Sequence, residues 1–254
     1  MELKFLGTSS GWPLPRLGCK CNICRSNDPK DVRLRPSLLI NDEVLIDASP
    51  DIYHQIKKYD LDPTKIKYIV LTHAHDDHIM GLFDLSHVYN NKTKPILIST
   101  KSVLDQVNKK LRASFFSFIK TSLSPFNKLT LGSSTDIWLI PVRHSVEAYA
   151  VKIKSKKPFL YAPEFRSIPG PSKKYIGDLD LMIIDGSSKT RVGQARGHET
   201  IEEGIKVAQE LSAKKIYFTN IGHKTDTHND LTLFVKEKGG DKFNIAFDGL
   251  ELKL

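Results

Sequence analysis

The stretch THAHDDH, residues 72–78, holds three histidines and two aspartates and follows directly on the apolar, β-branched run KYIVL. A run of that kind predicts a buried strand, so the ligand-type side chains stand on the turn that leaves it. From such a turn His73 and His75, two residues apart, can converge on one cation, while Asp77 and His78 face a neighbouring position. Isolated histidines ordinarily sit in a core or on a surface. H-x-H-x-D-H behind a strand is too dense for that, and its chemistry is that of a two-metal site.

A second ligand-rich cluster lies upstream. The chain's three cysteines, Cys19, Cys21 and Cys24, all fall within GCKCNIC. An odd number packed this tightly makes a poor disulfide framework, whereas C-x-C-x-x-C can offer three thiolates to one soft cation. Zinc is the natural guest. A closed structural zinc site takes four ligands, and with no fourth cysteine in the chain the remaining one is expected to be a histidine.

Around these clusters short β-rich runs alternate with helical stretches. Strands are expected at ELKFLG, SLLIN, EVLIDAS, IKYIVLT, KPILIST, DIWLIPV, AYAVKIK, FLYA, LDLMIID and KIYFTN, and helices at SPDIYHQIKKYD and TIEEGIKVAQELSAK. Thr200 with Glu203 forms a capping box for the latter helix, which puts His198 just before its first turn. Residues 101–128 read as a helical excursion whose ASFFSFI segment joins the core or roofs a pocket. The economical reading is one α/β domain spanning residues 1–254, with long functional loops.

Composition adds boundaries. Hydrophobic residues make up 40% and charged residues 26% of 254, which is ordinary for a globular protein. No stretch is apolar for long enough to span a bilayer, and MELKFLGTSSG lacks the layout of a signal peptide, so a cytoplasmic protein without membrane association is expected. The formal charge of +9 favours anionic partners. Much of that excess lies in short groups such as KIKSKK and SKKY, none interleaved with aromatics as a single-strand binding platform is, and such groups more often decorate solvated strands and loops. The charge would suit RNA, but with no obvious inserted arm or separate domain to hold a tRNA, RNA is not the favoured partner.

The motif THAHDDH resembles the H-x-H-x-D-H signature of the metallo-β-lactamase fold superfamily, with GTSSG, LIDAS and FDGLEL where that family places its first strands and its last. GCKCNIC is more selective. It looks like the branch that contains the cyclic ribose phosphate phosphodiesterase of the carbon–phosphorus lyase pathway and the pyrroloquinoline quinone biosynthesis protein B. The resemblance implies a four-layer αβ/βα sandwich with metals at one edge of two packed sheets. It further implies a structural zinc on an N-terminal loop around residues 18–25, closed by His223 in TNIGH.

Carried over residue by residue, the resemblance makes His73, His75 and His144 the ligands of a first metal, zinc or manganese, with Asp77 and His78 beginning a second. The family's bridging aspartate falls on Ala162, with Glu164 two residues on and able to reach the gap; its last histidine falls on Asn220. Three histidines still leave one coordination position open, where a cation lowers the pKa of its bound water. The second ion is expected to be weak or absent. The implied activity is a phosphodiesterase acting on a small cyclic or nucleotide-like phosphate ester through a metal-bound hydroxide. Asp77 would orient the nucleophile and His198 would serve as general acid, although a helix N-terminus disfavours a charged imidazole. Asp185 would orient a neighbour. An RNA-processing nuclease, or a non-hydrolytic relative with a degenerate second metal site, remains the alternative, and a homodimer is compatible with either. His54, His87 and His228 match no role and are expected to be structural or surface residues.

Overall fold

The computed structural model describes residues 1–89, 93–191 and 197–254. In chain order the strands are β1 (Glu2–Gly7), β2 (Ser37–Ile40), β3 (Val44–Ile46), β4 (Tyr68–Val70), β5 (Ile96–Ser99), β6 (Ile119–Ser122) and β7 (Lys128–Leu131). They continue with β8 (Thr135–Val142), β9 (Ala148–Lys154), β10 (Phe159–Ala162), β11 (Leu181–Asp185), β12 (Lys215–Thr219), β13 (Phe243–Ile245) and β14 (Glu251–Lys253). They form two seven-stranded sheets, β14-β1-β2-β3-β4-β5-β6 and β13-β12-β11-β10-β9-β8-β7. Each sheet changes from antiparallel to parallel pairing halfway across: β3, β4, β5 and β6 run parallel in the first, and β10, β11, β12 and β13 in the second.

Parallel strands need covering on both faces, and their sequences say so. All five residues of β11 are buried; Leu181 and Ile183 pack into the core between the sheets, Met182 and Ile184 into the layer beneath the helices. That outer layer includes Ile201, Ile205 and Ala208 of the helix Ile201–Glu210 and Leu231 and Val235 of the helix His228–Gly239. The first sheet is covered by Ile52–Lys58, Gly81–Ser86 and Lys101–Leu111. Two mixed sheets between helical layers are the αβ/βα sandwich expected.

Two local readings change. The excursion at 101–128 is an α-helix only to Leu111 and a 3-10 turn to Ser117; β6 and the start of β7 occupy the rest. Its aromatics divide, with Phe115 and Phe118 in the core and Phe116 on the surface. The capping box is half made. Thr200 Oγ1 accepts from Glu203 N at 3.1 Å, but the Thr200 N–H donates to Glu199 Oε1 at 2.9 Å, while Glu203 turns out to Lys206.

Candidate metal centre

Every candidate ligand of the histidine–carboxylate cluster lies beyond the carboxyl end of a strand, where open α/β sheets leave a crevice. His73, His75, Asp77 and His78 follow β4, His144 follows β8, Glu164 follows β10, and Asn220 follows β12. The two sheets meet here through a bridge from His73 to Ala148 and a bond from Tyr149 N to Thr72 O of 3.0 Å.

Glu164 is the centre of the arrangement. Its Oε2 lies 3.0 Å from His144 Nε2, 3.2 Å from His73 Nε2 and 3.9 Å from His75 Nδ1. Its Oε1 lies 3.1 Å from His78 Nε2. Two ligand groups result, His73–His75–His144–Glu164 and Asp77–His78–Glu164, each with its donor atoms within 4.8 Å of one another. Glu164, two residues beyond Ala162, thus places one carboxylate within reach of both groups. Asn220 donates from Nδ2 to Glu164 Oε1 at 3.1 Å, and its own Oδ1 is buried without a hydrogen-bond partner.

This donor set fits divalent cations. His73 Nε2 and His75 Nδ1 are 3.0 Å apart, and His75 Nδ1 and His144 Nε2 3.3 Å; ligands about 2.0–2.1 Å from a tetrahedral zinc stand about 3.3–3.4 Å from one another. Fully buried His78 Nε2 makes no hydrogen bond of adequate geometry, although Glu164 Oε1 and Asp77 Oδ2 lie 3.1 and 3.5 Å away. Three donors so close yet not directed at one another suit a shared ion.

Partners behind the ligands hold their tautomers. His144 Nδ1 donates to Gly197 O at 2.6 Å, a contact made by a glycine at φ +84°, where a side chain is disfavoured. His78 Nδ1 meets Asp47 Oδ2 at 2.7 Å, and Asp47 also accepts from Thr72 N and Oγ1, each at 2.8 Å. Asp47 lies in the LIDAS segment, was not among the sequence-derived site residues, and is held at φ +58°; a strand-end aspartate behind the motif was the available signal. Asn220 shares that left-handed backbone at φ +61°. Such strain collects where the fold over-determines a site.

Electrostatics sort the groups. Burial pushes the His73 imidazole down to about 4, aided by the charge of His78, which suits a neutral ligand. Burial also opposes charge on His78, but Glu164, Asp47 and Asp77 outweigh it and hold that ring well above the usual histidine range. Burial likewise disfavours charge on Glu164, yet His78 and the three other histidines hold the carboxyl well below its usual range. His198 Nδ1 is 2.8 Å from Asp185 Oδ2, and its ring packs edge-on to His144 with centroids 5.0 Å apart. Burial lowers its affinity for a proton, but Asp185 reverses this and raises the pKa to about 9. Glu164 adds to the effect of Asp185 and the charge of His78 opposes it.

The cysteines converge separately: Cys19, Cys21 and Cys24 place their sulfurs within 4.8 Å of one another. His223 Nδ1 lies 3.4 Å from Cys19 Sγ, and Arg16 Nη1 is 2.8 Å from His223 Nε2. Burial pushes the Cys24 thiol up to about 11. His54 and His87 are exposed; His228 is buried against Arg33.

The sandwich and its strand-end histidine–carboxylate cluster define a metal-binding protein of the metallo-β-lactamase fold. A family profile described as a beta-lactamase superfamily domain matches residues 42–221. The chain belongs to that superfamily. It is 37% identical over 242 residues to an octanoyltransferase of Porphyromonas gingivalis, covering 91% of this chain and 48% of that protein. The match spans about half the length of the first curated relatives, between 40% and 62% for three of them. Among solved structures, a diphosphatase from the PhnP family superposes with a TM-score of 0.86 at 28% identity, over 100% of this chain and 97% of that one. Zinc-bound PqqB from Methylobacterium extorquens shares the fold, with a TM-score of 0.85 at 20% identity over 100% of both chains. Among the described residues no helix is long and apolar enough to cross a membrane.

Proposed function

We propose that the protein is a metal-dependent phosphodiesterase acting on a small cyclic or nucleotide-like phosphate ester. The observation that carries this reading is the Glu164 carboxylate, set among four histidines and grouped with Asp77, with His198 packed edge-on to His144. His73, His75, His144 and Glu164 would hold one cation and Asp77, His78 and Glu164 a second; either zinc or manganese suits the first. Bound there, such ions draw charge from phosphoryl oxygens and acidify water.

The chain's own groups do the remainder. Asp77, partly exposed, positions the attacking water. The new bond forms to phosphorus from the oxygen of a water that has released one proton to solvent, and the bond to the leaving oxygen breaks with its electron pair on that oxygen. With Asp185 on Nδ1, His198 presents Nε2 as the atom that delivers the proton. The second cluster, Cys19, Cys21, Cys24 and His223, would hold a structural zinc that fastens the N-terminal loop.

Metal-stripped protein, reloaded separately with zinc and manganese, is assayed against bis(p-nitrophenyl) phosphate, cyclic nucleotides and a tRNA precursor. Metal-dependent turnover of the small diesters is expected. Cleavage confined to RNA would move the assignment to the nuclease reading, and no turnover with any metal would refute a hydrolytic role.

A further inference from the structure

A cleft of 280 Å³ adjoins the metal centre, lined by the loop after β1 on one side and by residues near Ser187, His198 and Gly222 on the other. Its position is fixed by two contacts. A Cβ built on Gly11, which lines it, would lie 3.3 Å from Asp77 Oδ2, and His198 forms part of its wall. The proposed proton donor therefore borders the cleft, and the proposed water-positioning carboxylate lies beside Gly11 in its wall.

Three features describe what it would hold. Trp12 stands 61% exposed at its mouth, a large indole beside a polar site. The Arg16 guanidinium sits 5.3 Å from the indole centroid, and Lys224 lines the same cleft. Ser187 lines it as well; that residue is only 6% exposed, and its Oγ has no hydrogen-bond partner. Single exposed aromatics are common. A buried hydroxyl without a partner is not, since hiding one costs free energy unless a hydrogen bond compensates.

Resting on the phosphodiesterase reading, we infer that this cleft takes the leaving-group half of the substrate, and that this half is a nucleoside bearing a second phosphoryl group. The planar base stacks on Trp12, as bases do on exposed aromatics without regard to sequence. The second phosphoryl group meets the donors of Arg16 other than the Nη1 that faces His223, and Lys224 as a point charge. The substrate class thereby narrows to nucleoside diphosphate esters and anhydrides. Hydrolysis breaks one P–O bond, with hydroxyl from water joining phosphorus and the proton joining the leaving oxygen, so no further reactant is needed.

The test is calorimetric titration of the metal-loaded full chain with the uncleavable α,β-methylene-ADP, with methylenediphosphonate and with adenosine. The nucleotide analogue should bind about tenfold more tightly than methylenediphosphonate. Trp12→Ala should abolish that difference while leaving methylenediphosphonate binding unchanged, Trp12→Phe should restore most of it, and Lys224→Ala should weaken both anions. Equal affinity for the two anions, or a Trp12→Ala protein that still prefers the nucleotide, would overturn the inference. Turnover of bis(p-nitrophenyl) phosphate by the same wild-type preparation separates the two ideas. Turnover without nucleotide preference removes the cleft assignment alone, whereas nucleotide preference without turnover keeps the cleft and removes the enzyme.

Discussion

Glu164 shows how one side chain can serve two ligand groups. A carboxylate on the strand end itself, at Ala162, would need a short arm; from two residues further on a glutamate spans the distance, and Asn220 Nδ2 steadies it at 3.1 Å. Glu164→Gln keeps the shape but removes the negative charge that the two donor groups share. Metal content of that variant, read by mass spectrometry after dialysis, is expected to fall to the cysteine-bound ion, with kcat/KM down by about 10²-fold or more. Retention of full metal content would take Glu164 off the ligand list. At Asn220 the expected change is a gain. Histidine tolerates the left-handed backbone there better than most residues, at φ +61°, and adds a nitrogen beside the Asp77–His78–Glu164 group. Asn220→His should bind the second ion more tightly and raise turnover. Unchanged affinity in a metal titration would show that residue 220 does not face the second ion.

At the level of elements, the sequence revealed what is buried and hid what is not. THAHDDH behind KYIVL, and buried runs such as LDLMIID and FLYA, carried enough apolar density to place β4, β11 and β10. The edge strand β6, IKTS, is mostly exposed and carries no apolar rhythm, and the alternation of β7, KLTL, is only four residues long, so the 101–128 segment read as helix throughout. The helix His228–Gly239 was missed although Thr227 caps it, accepting from Asp230 N at 3.3 Å, because no Glu or Gln completed a familiar box. Convergence of His144 and Glu164 with the motif depended on two sheets docking, which no local pattern encodes. The cysteine loop was legible as a unit, and its closure can be tested. His223→Ala should release zinc from the cysteine cluster, loosening the loop that carries Trp12 and Arg16, because binding energy at such a site is also folding energy. Unchanged zinc stoichiometry would exclude His223.

Across the whole molecule, the two sheets are tied near the site by a buried cation. Arg33, fully buried, donates from Nη1 to Thr8 Oγ1 at 2.8 Å beyond β1 and to Ala246 O at 2.6 Å beyond β13, and its Nη2 meets His228 Nδ1 at 3.2 Å. Asp248 joins through Thr8 Oγ1 and Leu34 N at 2.7 and 2.6 Å. The same edge continues into the site, since Ile221 N donates to Thr8 O at 2.7 Å. Two titrations of opposite sign follow. Burial, with the charges of Arg33 and Lys30 and against that of Asp28, pushes the His228 imidazole down to about 4. Its contribution to stability is complete above the unfolded value of about 6.5 and is lost as pH falls through about 4. Burial raises the Asp248 carboxyl to about 6 despite Leu34 N, Thr8, Arg33 and Lys58, so its contribution is complete below about 3.9 and is lost as pH rises through about 6. Between these limits acidification weakens the fold through His228 and strengthens it through Asp248. Urea midpoints at pH 6.5 and 4.5 should therefore fall less in His228→Asn than in the wild type, and fall more in Asp248→Asn. Parallel slopes in all three proteins would mean that neither group titrates differently on folding, and that the clamp acts by geometry alone.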